Sequence, residues 1–365
     1  MSVVGLLSSV SDYLKLQEVK TDNAIFRLCY MFTTAMLVAF SLIITFTGYI
    51  GDPIQCINSG DVPGNVINTY CWIMTTFTMP DAHTREVGFE VPHPGLSNAF
   101  GEERAAKYYT YYQWVVFVLF FQALMTYLPK YIWDMWEGNL MKTIVMGMNI
   151  GMISEEEKEN KKKTLIDYML RHIRHHNMYA VRYFFCELLS FVLILVQMGL
   201  MDSFFDGEFM RYGSQVLSYS EKDQEERADP MIYVFPRVTK CTFHKFGPSG
   251  TITRHDSLCV LPLNIVNEKT YIFLWFWFII ITVLQAMLII YRLGLILMPA
   301  LRPFVFHFYH RIIPKDTCEA IARKTSLGDW WVLFMLGSNM DPLIYREVMA
   351  ELAKKIETDA SNLRD

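Results

Sequence analysis

Apolar residues in this chain are gathered into four long runs, at 26–50, 112–133, 181–201 and 271–298, separated by polar stretches of unequal length. Each run is about as long as the ~20 residues a helix needs to cross a bilayer. The second is bracketed by Tyr111, Tyr112 and Trp114 at one end and Tyr131, Trp133 and Trp136 at the other. Trp114 to Trp133 covers about 28 Å at helical rise, roughly one hydrocarbon thickness, so these rings read as interfacial belts. Pro129 is expected to kink the end of that helix, which a membrane bundle tolerates. The predicted organisation is an amino-terminal segment (1–25), four spans, loops at 51–111, 134–180 and 202–270, and a tail (299–365).

Finer patterns lie between the runs. In the third loop Ile232, Val234, Val238, Cys241 and Phe243 recur among turn residues, and Gly247-Pro248-Ser249-Gly250 turns the chain back into Thr251-Ile252-Thr253, a strand signature. In the tail, Gly337-Ser338-Asn339 stops one helix, while Asp341 caps and Pro342 begins another. Ile344, Val348, Leu352 and Ile356 then form one apolar face, expected to pack near Trp330 and Trp331. Val3, Leu6, Leu7, Val10 and Leu14 also follow helical spacing, which suits either the membrane surface or a fold back into a pore.

Charge sets the orientation. Basic residues near the ends of the runs, including Lys20, Arg27, Lys130, Lys142, Arg171, Arg174, Arg182, Arg292 and Arg302, fall on the side of both termini and the middle loop. The positive-inside rule places that side in the cytosol and the loops 51–111 and 202–270 outside. Of the 365 residues 52% are hydrophobic and only 19% charged, too apolar for an ordinary soluble domain. A net charge of -4 gives no reason to expect a nucleic-acid partner. The first residues lack the basic start and long apolar core of a signal peptide. The fold class predicted is an all-α membrane protein: a four-transmembrane-helix bundle with a small disulfide-braced extracellular α/β region and a helical cytoplasmic domain.

The cysteines sort by side. Cys56 and Cys71 lie in the first outer loop, Cys241 and Cys259 in the second, Cys29 and Cys186 in spans, and Cys318 in the tail. Four cysteines in an oxidising exterior form a disulfide framework, with three pairings open to it. The chain has no N-x-S/T sequon, so no N-glycan coats this face.

Other candidate chemistry has plainer readings. No paired carboxylates, nucleophile constellation, CxxC, HExxH or phosphate-binding glycine loop is present, so no catalytic residue, metal or cofactor is expected. His172-Ile-Arg-His-His176 reads as part of a basic juxtamembrane helix, and Glu155–Lys163 as a solvated face. Glu187 within the third run needs a partner, for which Arg182 is the nearest candidate. Thr34, Ser41, Thr45 and Gly48 share one face of the first span, read from spacing as a helix contact in preference to a pore wall.

The pentapeptide Tyr111-Tyr112-Gln113-Trp114-Val115 resembles the signature of innexins, the invertebrate gap-junction proteins. YIGDPIQC (49–56), TYCW (69–72), VFPRVTKCTFHKFGPSG (234–250), DSLCVLPLNIVNEK (256–269), FLWFWF (273–278), GDWW (328–331) and DPLIYRE (341–347) look like innexin blocks too, so the resemblance covers nearly the whole chain. Two cysteines per outer loop separate it from connexins, which carry three. The resemblance implies pairing of Cys56 with Cys259 and of Cys71 with Cys241. It further implies a ring, an octamer, that docks with the ring of a neighbouring cell and mixes with other innexins. It also implies an amino-terminal funnel (Val3, Val4, Leu6, Ser9) and a pore lined by the first span (Thr34, Ser41, Thr45). This chain is uncharged until Asp12, so its funnel mouth is expected to be less basic than in many relatives. The expected function is a passive gap-junction channel for ions and small metabolites in the plasma membrane. Its alternatives are an undocked hemichannel and a non-conducting adhesion or scaffold protein.

Overall fold

The structure, a computed structural model, describes residues 19–58, 62–97, 106–145, 148, 154–220 and 230–362. Val3, Val4, Leu6 and Ser9 lie outside the described residues. In chain order, α1 (Ala24–Ile50) is followed by β1 (Gln55–Ile57), α2 (Gly64–Met74), β2 (Thr76–Thr78), β3 (Lys107–Tyr109) and α3 (Val115–Glu137). Next come α4 (Leu140–Val145), α5 (Glu155–Arg171), α6 (Asn177–Phe204), α7 (Phe209–Ser220) and α8 (Pro230–Val234). Then β4 (Val238–Phe246), β5 (Ile252–Val260), α9 (Leu263–Leu297), α10 (Leu301–Tyr309), α11 (Lys315–Lys324), α12 (Leu327–Gly337) and α13 (Pro342–Asn362) complete it. Among the described residues α1, α3, α6 and α9 are long and apolar enough to cross a membrane.

Local chemistry sets the helix ends. Asn23 caps α1, its Oδ1 accepting from the N–H groups of Ile25 and Phe26. Asp341 caps α13 in the same way through Leu343 and Ile344, with Pro342 as first helical residue. α3 continues through Pro129. Ile232 and Val234 belong to the short helix α8 and not to a strand. Pro230 starts that helix, and Pro236, which has no N–H to give a ladder, separates it from β4.

The chain divides into two compact units. One comprises residues 1–32, 126–192 and 283–365. Its core joins Phe26, Trp133, Tyr183, Trp330 and Trp331 to the buried face Ile344, Val348, Leu352 and Ile356 of α13. Trp133 is a core residue here and not an interfacial one: its ring meets Tyr179 at 5.1 Å and Tyr183 at 4.9 Å. The lysines of α5 are not simply solvated. Lys158 and Lys162 reach Glu347 at 3.5 and 3.8 Å, and Lys162 reaches Glu351 at 3.7 Å, along α13.

The other unit comprises residues 33–125 and 193–282. It contains a five-stranded sheet in the order β1-β5-β4-β2-β3, with every pairing antiparallel. β4 and β5, nine residues each, form a hairpin closed by the Gly247–Gly250 turn. There the Gly247 N–H donates to Thr251 O at 2.7 Å, and Gly250 takes a φ of +79°, which glycine adopts without strain.

Candidate functional site

The sheet is where the two long loops meet. Cys56 on β1 stands opposite Cys259 on β5, and the two are disulfide-bonded. Cys71, on the buried face of α2, is bonded to Cys241 on β4. Each bridge joins residues 51–111 to residues 202–270, with sequence separations of 203 and 170. The sulfurs of Cys56, Cys71 and Cys259 lie within 4.8 Å of one another, so the two bridges are neighbours. All are engaged in disulfides, leaving no thiolate for a metal ion. Ile54, Val62, Ile67 and Leu261 pack around them, with Tyr70 edge-on to Phe243 at 4.8 Å.

The Tyr111–Val115 block anchors this assembly to α3. Tyr111 to Gln113 form one 3₁₀ turn before the helix. Tyr111 is buried in an aromatic cluster with Phe205 at 5.3 Å and Phe235 at 5.6 Å, and Phe235 in turn stacks on Tyr271 at 5.6 Å. The Tyr112 hydroxyl donates toward the carbonyls of Cys71 and Trp72, each at 3.3 Å. The Gln113 amide donates to the carbonyls of Trp72 and Ile73. These are among the last carbonyls of α2, which have no partner within their own helix. Val115 is fully buried and Trp114 is exposed. The block is thus a side-chain cap on the helix that carries Cys71. Replacing Tyr112 by Phe together with Gln113 by Leu is expected to cost about 1–2 kcal/mol. The readout is the thermal midpoint of the purified chain; an unchanged midpoint would show that the cap contributes nothing.

On the first span the proposed wall residues part company. Ser41 is only 6% exposed and its hydroxyl donates to Val116 O at 3.3 Å, so it sits in a contact with α3. Thr45 donates back to Ser41 O at 2.7 Å, and Thr34 is half-buried. Ser41 therefore cannot face an open lumen. Its hydroxyl is spent on a neighbouring helix, as small polar residues in membrane bundles often are.

The first unit holds a second constellation, at the root of α1. Glu187, within α6, makes a two-pronged pair with Arg292 of α9, Nε to Oε2 and Nη2 to Oε1, both at 2.8 Å. Arg182 is not its partner. Five residues along a helix put the two side chains about 140° apart, and Arg182 lies 5.9 Å from the centre of the Trp136 ring instead. The Asn23 amide donates to Glu187 Oε1 at 2.8 Å, and the Arg292 guanidinium lies 4.3 Å over Trp331. Asp22 accepts from Arg27 at 2.6 Å and Tyr30 at 2.7 Å, with Lys130 at 3.2 Å. Asn339 holds the backbone of Lys20, taking its N–H and donating to its carbonyl at 2.7 Å.

The histidine cluster divides likewise. His172 and His175 are exposed, whereas His176 is buried and its Nδ1–H donates to Asp329 at 2.9 Å. Asp329 also accepts from Arg174 N at 2.7 Å and from Ser326 Oγ at 2.7 Å, completing a capping box on α12. A Cβ on Gly328 would lie 2.3 Å from the carbonyl carbon of His176, so the GDWW block needs glycine for close backbone approach and aspartate for the histidine.

Comparison with known proteins gives one answer along the whole length. A family model described as Innexin matches residues 22–356. "Innexin inx1" of Schistocerca americana is 61% identical over 357 residues, covering 98% of this chain and 99% of that protein. "Innexin inx1" of Drosophila melanogaster is 57% identical over 352 residues, 96% of this chain and 97% of that one. "Innexin shaking-B" of the same fly is 46% identical over 354 residues, covering 97% and 95%. The chain belongs to the innexin family, whose members are gap-junction channel subunits.

Proposed function

We propose that copies of this chain form a ring, an octamer, in the plasma membrane, alone or mixed with other innexins. Residues 51–111 and 202–270 face outward and both termini are cytoplasmic. Rings of apposed cells dock through the braced loops and pass ions and small metabolites, a passive role with no catalysis and no cofactor. The observation that carries this reading is the sheet itself. Two bridges pin both loops of a subunit into one body, which keeps a rim rigid and lowers the ordering cost of docking. A surface without N-glycan sequons leaves that rim accessible. The wall of the pore is assigned to the first span, including Thr34 and Thr45, and to the segment bearing Val3, Val4, Leu6 and Ser9. Selectivity follows from the width and charge of that lining.

The test is junctional conductance between two cells expressing only this chain, beside membrane conductance of single cells. Coupling is expected, and Cys71→Ser is expected to abolish it, since loss of a bridge costs about 2–5 kcal/mol. Single-cell current without coupling would favour the undocked hemichannel. Silence in both, with the chain at the surface and other innexins co-expressed, would overturn the channel reading in favour of a scaffold.

A further inference from the structure

We infer that α10 is an interfacial helix that lies along the lipid surface with its aromatic face in the bilayer. Two faces of this nine-residue helix are apolar, and only one is covered. Phe306 is buried, 6.1 Å from Trp330 and 6.4 Å from Phe334 by ring centres. On the other side Leu301, Phe304 and Phe308 follow helical spacing, with Phe304 70% and Phe308 57% exposed. A helix apolar on both sides is not built to present one of them to water.

The occupant follows from what this face continues. Along the end of α9 the exposed positions Ile290, Leu293, Ile296 and Leu297 are all apolar, as lipid-facing positions of a span are. Met298 and Leu301 carry the exposed apolar surface on into α10 without a polar break. Only three residues separate the helices, and Arg302 fastens them. Its Nε donates to Leu295 O at 3.1 Å and its Nη2 to Ile296 O at 3.5 Å, both carbonyls from the last turn of α9. α10 is thereby held at the mouth of the span, at the depth where aromatic side chains collect. Arg311 and Lys315, exposed just beyond its end, suit the phosphates of the headgroup layer.

Photo-crosslinking tests this on the unaltered full chain, reconstituted in phosphatidylcholine vesicles containing a lipid with a diazirine high on its acyl chain. Adduct sites are mapped by peptide mass spectrometry. Adducts are expected within 301–312 and in the four spans, and not on the exposed positions of α11. The double variant Phe304→Glu with Phe308→Glu is expected to cut the yield at 301–312 at least fivefold while labelling of the spans is unchanged. Labelled spans with no adduct at 301–312 would overturn the proposal. So would equal labelling of α11.

Discussion

Replacing Glu187 with alanine is expected to cost about 3–5 kcal/mol, the scale for removing one partner of a buried ion pair. The loss is unequal between the partners. Without Glu187 the Arg292 guanidinium stays charged, because arginine does not deprotonate in proteins. It would then be stranded among Trp331, Phe184 and Tyr291. Without Arg292 the carboxyl keeps its bond from Asn23, so it retains a polar partner where the guanidinium would keep none on that side. Glu187→Ala is therefore expected to lower the thermal midpoint of the solubilised chain more than Arg292→Ala, with Glu187→Gln between them. A double change to methionine at both positions is expected to recover most of the loss, because apolar side chains replace two desolvated charges. Equal losses from the two single variants would show that the pair is wet and weak.

Asp329→Ala is the second large effect. It strips acceptors from His176, Arg174 and Ser326 together, and charge-assisted bonds contribute about 1.5–3 kcal/mol each without simple additivity. A total of about 3 kcal/mol is expected, read by thermal unfolding through the buried Trp330 and Trp331. Trypsin should also gain access to Arg174, which is held at φ +72°, a left-handed conformation unfavourable for arginine. Arg174→Gly in the same chain should restore part of the loss by removing that strain. If trypsin sensitivity is unchanged, the carboxylate does not hold the junction.

The contact also has a pH dependence. Burial opposes ionisation of Asp329, but the hydrogen bonds from His176, Ser326 and Arg174 outweigh it and hold the carboxyl below the usual carboxylate range. A depressed value in the fold means stabilisation that is complete above the unfolded carboxylate's value, about 4, and lost as pH falls through the depressed one. The gap in midpoint between the parent chain and Asp329→Asn should accordingly be constant near neutral pH and close below about pH 4.

Much of this was legible in the pattern of residues. The four spans stand out as apolar runs of membrane-crossing length, the α13 face repeats at helical spacing, and Asp341-Pro342 marks a helix start. What stayed hidden depends on distant backbone. Nothing in Tyr112 and Gln113 announces that they serve carbonyls some forty residues earlier, and the helix they cap was unread although Ile67 and Cys71 stand one turn apart on its buried side. The partner of Glu187 is 105 residues away, so its nearest basic neighbour in sequence misled. α9 begins at Leu263, before the apolar run, because its polar first turns are satisfied within the fold. Asn264 donates to Pro236 O at 2.8 Å, and Arg237 pairs with Glu268 at 2.9 Å. The hydrophobic period marks where lipid or core begins, whereas a helix extends as far as its polar groups find partners.

The two bridges also impose an order in time. Each joins a cysteine made early to one made late, so Cys56 waits for 203 further residues before its partner exists. At about 5–20 residues per second of synthesis that wait is roughly 10–40 s. Until Cys241 is made the first loop has no native bridge to close, and a bridge between Cys56 and Cys71 would be an error to be undone. Both late cysteines precede α9, so closure of the native bridges requires the residues up to Cys259 and not the last span. The same covalent tie that stiffens the sheet therefore joins, during biosynthesis, a segment made before α3 to one made after α6, and it can do so before the chain is finished.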